Sequence, residues 1–521
     1  MELRSLLPLA LCFFLLFNGC FAQIEQQQRF LWQKLQQQQQ HRRGRARTEC
    51  RIQSLKAREP TYKFDSEAGT TEFWDRNNEE FECAGVAAVR NVIQPQGLLL
   101  PHYNNAPQLL YIVQGSGVLG TVIPGCAETY ESPERERSMR GEESREGERQ
   151  YRTGGDQHQK VRQFRQGDVL ALPAGITLWF YNNGQERLVT VALLDTSNPA
   201  NQLDLQFRHF FLAGNPNPRG QSGSRYEEEI RGRREQEQGE QQQQQRRQTG
   251  NLFDGFDQNL LADVFNVDPE LVRNLQGRED QRGRIIRVER FDVLSPEFEE
   301  REEERRPSRR EREGRRGSEP NGLEETICTM RLKENLGQPS RADVYNPRGG
   351  RISSLNSHKL PILNWLQLSA ERGVLYQNAV MAPYWNMNAH SILYILRGSG
   401  RIQVVGDTGN SVFNDEVREG QMIIVPQNFA VVKRAGNQGL DYIAFKTNDQ
   451  AMTSPLAGRL SAIRAMPEEV LMNSYQISRQ DARSLKYNRE EATVFAGRRS
   501  GGYSTRAFNY ALTAVEALLK A

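Results

Sequence analysis

"LLYIVQGSGVLGTV" at residues 109–122 and "ILYILRGSGRIQVV" at residues 392–405 are the same sentence written twice. Seven of the fourteen positions are identical, at an offset of 283 residues. Each copy sets β-branched and aromatic residues on both sides of a Gly-Ser-Gly step, a pattern that predicts a hairpin. A second pair follows, "GDVLALPAG" from Gly167 and "GQMIIVPQN" from Gly420, at an offset of 253. The offsets differ by 30, so the first copy carries an insertion of that size, placed in "ESPERERSMRGEESREGERQYRTGG" ending at Gly155. Two homologous strand-rich domains, one interrupted by a charged loop, account for both offsets.

A third echo follows each strand set. "LLADVFNVDPELVRNLQ" (260–276) and "LSAIRAMPEEVLMNSYQ" (460–476) predict helices broken and restarted at Pro269 and Pro467. Their apolar residues are too many for a lone surface helix: the faces either pack on their own domain or are buried against another protomer.

The rest of the 521 residues is unusually polar, with an apolar share of 37% and a mean hydropathy of -0.71. Three low-complexity stretches account for this: the Gln/Arg run near residues 35–47, "YEEEIRGRREQEQGEQQQQQRRQ" at 226–248, and the Glu/Arg block up to Pro320. None carries enough apolar area to offset its ordering entropy, so each is expected to be disordered. The Arg residues are interleaved with Glu, which argues against nucleic-acid binding. Charge is divided unevenly: through Asn321 there are 45 Lys+Arg against 48 Asp+Glu, and from Gly322 onward 23 against 17. One half is mildly acidic and the other basic. At the start, Arg4 precedes the apolar run 6–17, and Ala22 and Gln23 flank the expected cut of a secretory signal. Its removal leaves Cys50, Cys83, Cys126 and Cys328, an even number that predicts two disulfides with three possible pairings.

The first repeat resembles the cupin family. "GLLLPHYN" from Gly97, with Gln108 and Gly115, follows the first cupin motif; "GDVLALPAGITLWFYN" follows the second through Gly167, Pro173, Gly175 and Asn182. In metal-binding cupins three histidines and a glutamate converge on one ion, a chemistry that needs neutral imidazoles and a carboxylate. Here the four slots hold His102, Asn104, Gln108 and Leu178; in the second repeat they hold Tyr384, Asn386, Ser391 and Val431. No metal, cofactor or catalytic residue is expected, and His102 is read as a satisfied core histidine. An active germin-type oxidase would need the manganese ligands that are missing. A carrier of small molecules is the remaining alternative, because Leu178, Trp179 and Phe180 make the first barrel apolar, although alternation keeps all three from lining one cavity.

The seam between the repeats narrows the reading further. "EFEEREEERRPSRREREGRR" runs into "EPNGLEETIC" at 319–328, and a secreted double cupin with this junction closely resembles the 11S (legumin-type) seed storage globulins. The resemblance implies an all-β dominated fold of two jelly-roll (cupin) β-barrels, each followed by a small helical segment. It implies cutting between Asn321 and Gly322 by an asparaginyl endopeptidase, disulfides Cys50–Cys83 and Cys126–Cys328, trimers that stack into hexamers, delivery to the storage vacuole, and allergenicity. No nucleic acid or membrane partner is expected. The domain plan is a signal at 1–22, a Gln/Arg-rich segment at 23–47, and a cupin domain at 48–290 with inserts near 127–160 and 219–250. A linker at 291–321, a second cupin domain at 322–490 and a tail at 491–521 follow; the tail is longer and more apolar than the family leads one to expect.

Overall fold

The computed structural model describes residues 52–75, 78–123, 161–216, 250–291 and 330–497. It is dominated by strands in two jelly-roll barrels, as the repeats require. In the first, one sheet runs in the order Tyr62–Ser66, Gly69–Phe73, Val86–Ile93, Leu188–Asp195, Gln108–Gln114, Asp168–Leu172 and Lys333–Asn335. The facing sheet contains His209–Phe211, Gly97–Asn104, Thr177–Tyr181, Ser116–Val122 and Val161–Arg165. In the second barrel the long strands Ser391–Val405 and Ala430–Lys446 each pair along both halves of the barrel and close it.

The Gly-Ser-Gly step is not a hairpin turn, which corrects the expectation from sequence. The 391–405 strand passes straight through it, and in the first repeat the strands on either side belong to different sheets. The step is a barrel corner, where the chain bends from one sheet to the next and keeps its direction. Gly398 takes φ 78° there, and a Cβ on it would lie 2.3 Å from the Gly439 carbonyl oxygen. A side chain is excluded by both conformation and space.

The shared motif also sets the domain arrangement. Successive side chains of a strand point to opposite faces. Leu110 and Ile112 fill the first barrel, while Leu109 and Tyr111 join a second apolar cluster outside it. Their counterparts divide the same way: Leu393 and Ile395 enter the second barrel, and Ile392 and Tyr394 enter that same outer cluster. The two repeats therefore bury equivalent outer faces against each other. This explains why these strands read as continuous apolar runs without polar alternation. Polar ties cross the joint too: Arg90 Nη1 donates to Tyr394 Oη at 3.2 Å, and Asn198 Nδ2 donates to the Leu366 carbonyl at 2.9 Å.

The halves also exchange arms. Residues 330–337, assigned from sequence to the second domain, lie along the first barrel: Ala171 N donates to Leu332 O at 2.7 Å and Leu336 N to Gly167 O at 2.9 Å. Residues 52–58 lie along the second barrel in return, with Leu55 N donating to Val412 O and Arg58 and Met422 exchanging backbone hydrogen bonds, all at 2.8 Å.

The proline-punctuated helices form as the sequence predicts. In the first domain Gln258–Phe265 ends at Asn266, and Pro269 opens Pro269–Gln276, with Asp268 accepting from Glu270 N. In the second, Pro467 is the cap residue of Glu468–Tyr475. A further helix, Arg479–Tyr487, lies beyond the predicted segment. Among the described residues no helix is long and apolar enough to cross a membrane.

The exchanged arm makes a direct prediction. Leu332 is 1% exposed in the cluster shared by both domains, so Leu332→Ala should cost about 2–5 kcal/mol. Calorimetry should show both barrels unfolding earlier together; a shift confined to one transition would mean that the arm is not structural glue between them.

Candidate functional site

The ligand slots of each barrel are positioned by the same strand pair. The 97–104 strand places Leu178 opposite His102; the equivalent strand Val380–Asn386 places Val431 opposite Tyr384.

In the first barrel, His102 Nδ1 lies 2.8 Å from the Leu100 carbonyl oxygen. A carbonyl can only accept, so Nδ1 carries the proton and Nε2 keeps its lone pair. Burial holds the imidazole neutral and pushes it down to about 4, against the Leu100 hydrogen bond and with help from Arg284. Leu178 is 1% exposed and packs into the barrel core with Phe180. Trp179 lies apart from them, in contact with Phe291 at a centroid distance of 5.4 Å. Leu178 and Phe180 thus fill the barrel, and Trp179 is not part of that core cluster. Gln108 is buried at its slot, and Asn104 is buried with neither its amide nitrogen nor its oxygen hydrogen-bonded among the described residues.

The second barrel holds a polar network that sequence reasoning missed. Lys433 is fully buried. Its Nζ donates to Tyr384 Oη at 2.6 Å and to Tyr442 Oη at 3.4 Å, and it lies 4.7 and 4.6 Å from the centroids of those rings. Tyr442 Oη donates to Glu371 Oε1 at 3.1 Å, and Lys446 pairs with Glu371 Oε2 at 2.8 Å. Burial lowers Lys433 to about 7, opposed by Glu371 and assisted by Lys446. Burial works to raise Glu371, yet the charges of Lys446 and Lys433 leave it below the usual carboxylate range. Burial holds both tyrosines protonated. The available signal was the strand period: Val431 and Lys433 share a face, so a lysine stood at an inward position of an apolar strand. The side-chain amide of Asn386 and the hydroxyl of Ser391, both on residues 0% exposed, have no hydrogen-bond partner among the described residues.

The residues present do not fit the metal set of active cupins. The second barrel has no imidazole or carboxylate in its slots, and an ammonium donates to Tyr384 where a cation would have to sit. The first has one imidazole in four slots. Among the described residues no group of three or more His, Cys, Asp or Glu could hold a metal ion. A pocket of about 390 Å³ at the domain seam is charged but internally neutralised, with Glu334 pairing Arg331 at 2.9 Å and Asp343 pairing Lys359 at 2.6 Å. Cys83 is disulfide-bonded. Ala22, Gln23, Cys50, Cys126, Asn321, Gly322 and Cys328, with most of the two inserts and the tail beyond residue 497, lie outside the described residues; Val494–Phe495, assigned from sequence to the tail, pairs with the Val380–Asn386 strand.

Comparison with known proteins decides the family. The cupin family model matches residues 55–217 and 334–483, one block per barrel. The 11S globulin of Juglans nigra is 51% identical over 96% of this chain and 98% of its own length. This chain belongs to the 11S seed storage globulins of the cupin family. The crystal structure of the coconut allergen cocosin matches with a TM-score of 0.69 and 45% identity, covering 86% of this chain and all of that one. The 11S globulin of Wrightia tinctoria, whose structure is described as revealing an auxin binding site, matches at 0.69 and 42%, covering 86% and 97%. The relatives are named for storage and not for an enzymatic reaction, in keeping with what this globulin carries in its slots.

The buried lysine gives the globulin a testable pH response. Lys433 releases its proton near pH 7 in the fold and near 10.5 in the unfolded chain. Between these values the unfolded chain binds more protons, so raising the pH through that window stabilises the fold; below pH 7 the cost is constant. Relative to Lys433→Met, the unmodified protein should gain stability on the order of several kcal/mol from pH 7 to 10 in denaturant titrations. A difference that does not change with pH would show that Lys433 is not buried as a free amine.

Proposed function

We propose that this chain is a nitrogen, carbon and amino-acid reserve, made as a secreted precursor, stored in the vacuole, and cut between Asn321 and Gly322 by an asparaginyl endopeptidase. The observation that carries this reading is that both barrel interiors are closed by their own side chains, Leu178 and Phe180 in one and the Lys433–Tyr384–Tyr442 network in the other. Such a barrel is built for packing and not for turnover. Gln, Asn, Arg and Glu, concentrated in the inserts, make those segments nitrogen-rich and dispensable to the core. An Asn-Gly step after a charged, low-complexity run is the kind of segment that proteases cut. The disulfide Cys126–Cys328 then joins the acidic and basic chains, and Cys83 pairs with Cys50 within the acidic chain.

Self-assembly is the second part of the proposal. The helical segments leave apolar side chains outward: Val264 is 69% exposed, Leu460 67% and Leu485 57%. Faces of this kind on a protein of this size mark protein contacts, and one such face per barrel suits a closed ring of three, with two rings stacking after the cut. A carrier role is a second reading, favoured by the auxin site described for the Wrightia tinctoria globulin. Native mass spectrometry of protein purified from its source, with a retained or added indole acid, separates the two.

Two experiments test the proposal. On gels, the mature protein should run as one band without reductant and as an Asn321-ended and a Gly322-started chain with it; Asn321→Gln should abolish the split. A wild-type protein that stays uncut removes the processing reading. Val264→Asp combined with Leu485→Asp should convert trimers to monomers in light scattering, and trimers that survive both changes would place the contact elsewhere.

A further inference from the structure

Beyond the expected signal cut the sequence has two Asn-Gly steps, Asn321–Gly322 and Asn183–Gly184. The second lies in the described loop between the strands Thr177–Tyr181 and Leu188–Asp195. Asn183 is exposed, and it makes no hydrogen bond among the described residues. An untethered asparagine before a glycine has a chemistry of its own. The backbone nitrogen of the next residue can attack the side-chain carbonyl carbon, and a glycine, with no Cβ, lets the two approach.

The preceding residue controls that attack. Asn182 is 0% exposed. Its Nδ2 donates to the Ile93 carbonyl at 2.9 Å and to the Glu186 carbonyl at 2.8 Å, which fixes the side chain in place. Its Oδ1 accepts from Gly184 N at 3.0 Å. The nitrogen that has to attack is therefore held on Asn182 by the proton it must first lose. The same bonds tie the loop to the neighbouring turn, so it is not the extended segment that a protease needs. The second barrel has no such arrangement: at the 253-residue offset, Ala435, Gly436 and Asn437 stand where Asn182, Asn183 and Gly184 stand in the first.

We propose that Asn183–Gly184 is a site of self-modification, where asparagine converts through a succinimide to aspartate and isoaspartate, at a rate set by Asn182. Gly184 N gives its proton to hydroxide and bonds to the Asn183 side-chain carbon. The bond from that carbon to the amide nitrogen breaks, and ammonia leaves. Water then opens the ring at either carbonyl, giving aspartate or a chain rerouted through the side chain. In sum one amide and one water become one carboxylate and one ammonium, and nothing is oxidised or reduced. Each event adds a negative charge in the loop that carries Glu186, so the acidic half becomes more acidic with age. The asparagine of the second cupin motif acts here as a brake, and releasing one net hydrogen bond changes a rate about two- to twelvefold.

The test ages the purified full chain in mildly alkaline buffer and maps its peptides by mass spectrometry, with fragmentation that distinguishes aspartate from isoaspartate. Both products are expected at position 183, forming faster as hydroxide rises, with none at Asn437, an exposed asparagine followed by Gln438. Asn182→Ala should quicken the conversion about two- to twelvefold. Gly184→Ala keeps Asn182 intact and tests the chemistry independently of that variant's folding; its methyl would lie 3.2 Å from the Ser116 hydroxyl, and it should slow the conversion severalfold. A parent protein that keeps its asparagine, aspartate as the sole product, or a Gly184→Ala variant as fast as the parent would overturn the site. An Asn182→Ala variant no faster than the parent would overturn the brake.

Discussion

Burial of the same motif face from two repeats against each other is the constraint on which the rest of the protein depends. Leu109 and Tyr111 in one repeat, and Ile392 and Tyr394 in the other, point away from their own barrels into one shared apolar cluster. A sheet buried on both sides cannot alternate apolar and polar residues, and it cannot tolerate a slip of one residue, which would exchange barrel and joint faces. The Gly-Ser-Gly corner sits immediately after this stretch, so the same fourteen residues set the core, the joint and the bend that closes the barrel.

With that joint in place, the interior positions that bind metal in other cupins are free to change. The two barrels have changed differently. The first has become apolar around Leu178 and Phe180, keeping one oriented imidazole. The second has become an ionic core in which one carboxylate, Glu371, is shared by the field of two lysines. Breaking a buried pair by removing one partner is costly, because the other is left charged in a medium of low polarisability. Such a network fixes its own geometry without offering a place for substrate.

Much of this was legible in the residues. The repeat offsets and the motif glycines and prolines point to two cupin barrels, and Pro269 and Pro467 mark the helix breaks. The strand register sets Leu178 across from His102 and Val431 across from Tyr384. What escaped was long-range. The Gly-Ser-Gly step read as a turn because a local pattern cannot distinguish reversal from a corner between sheets. Lys433 stood at an inward strand position, but Glu371 and Tyr442, 62 and 9 residues away, meet it only once the barrel closes. The exchange of arms likewise has no local signal.

That exchange bears on the order of events in the life of the molecule. The acidic half alone would leave the 168–172 strand with an open edge where residues 333–335 now pair, and the basic half alone would lose the cover of residues 52–58. Unpaired edges of long sheets invite association with other chains. A chain divided before folding would therefore present two sticky halves, whereas one divided afterwards inherits two pieces already laced together. Translation as a single polypeptide lets each half cover the other's open edge while both barrels form.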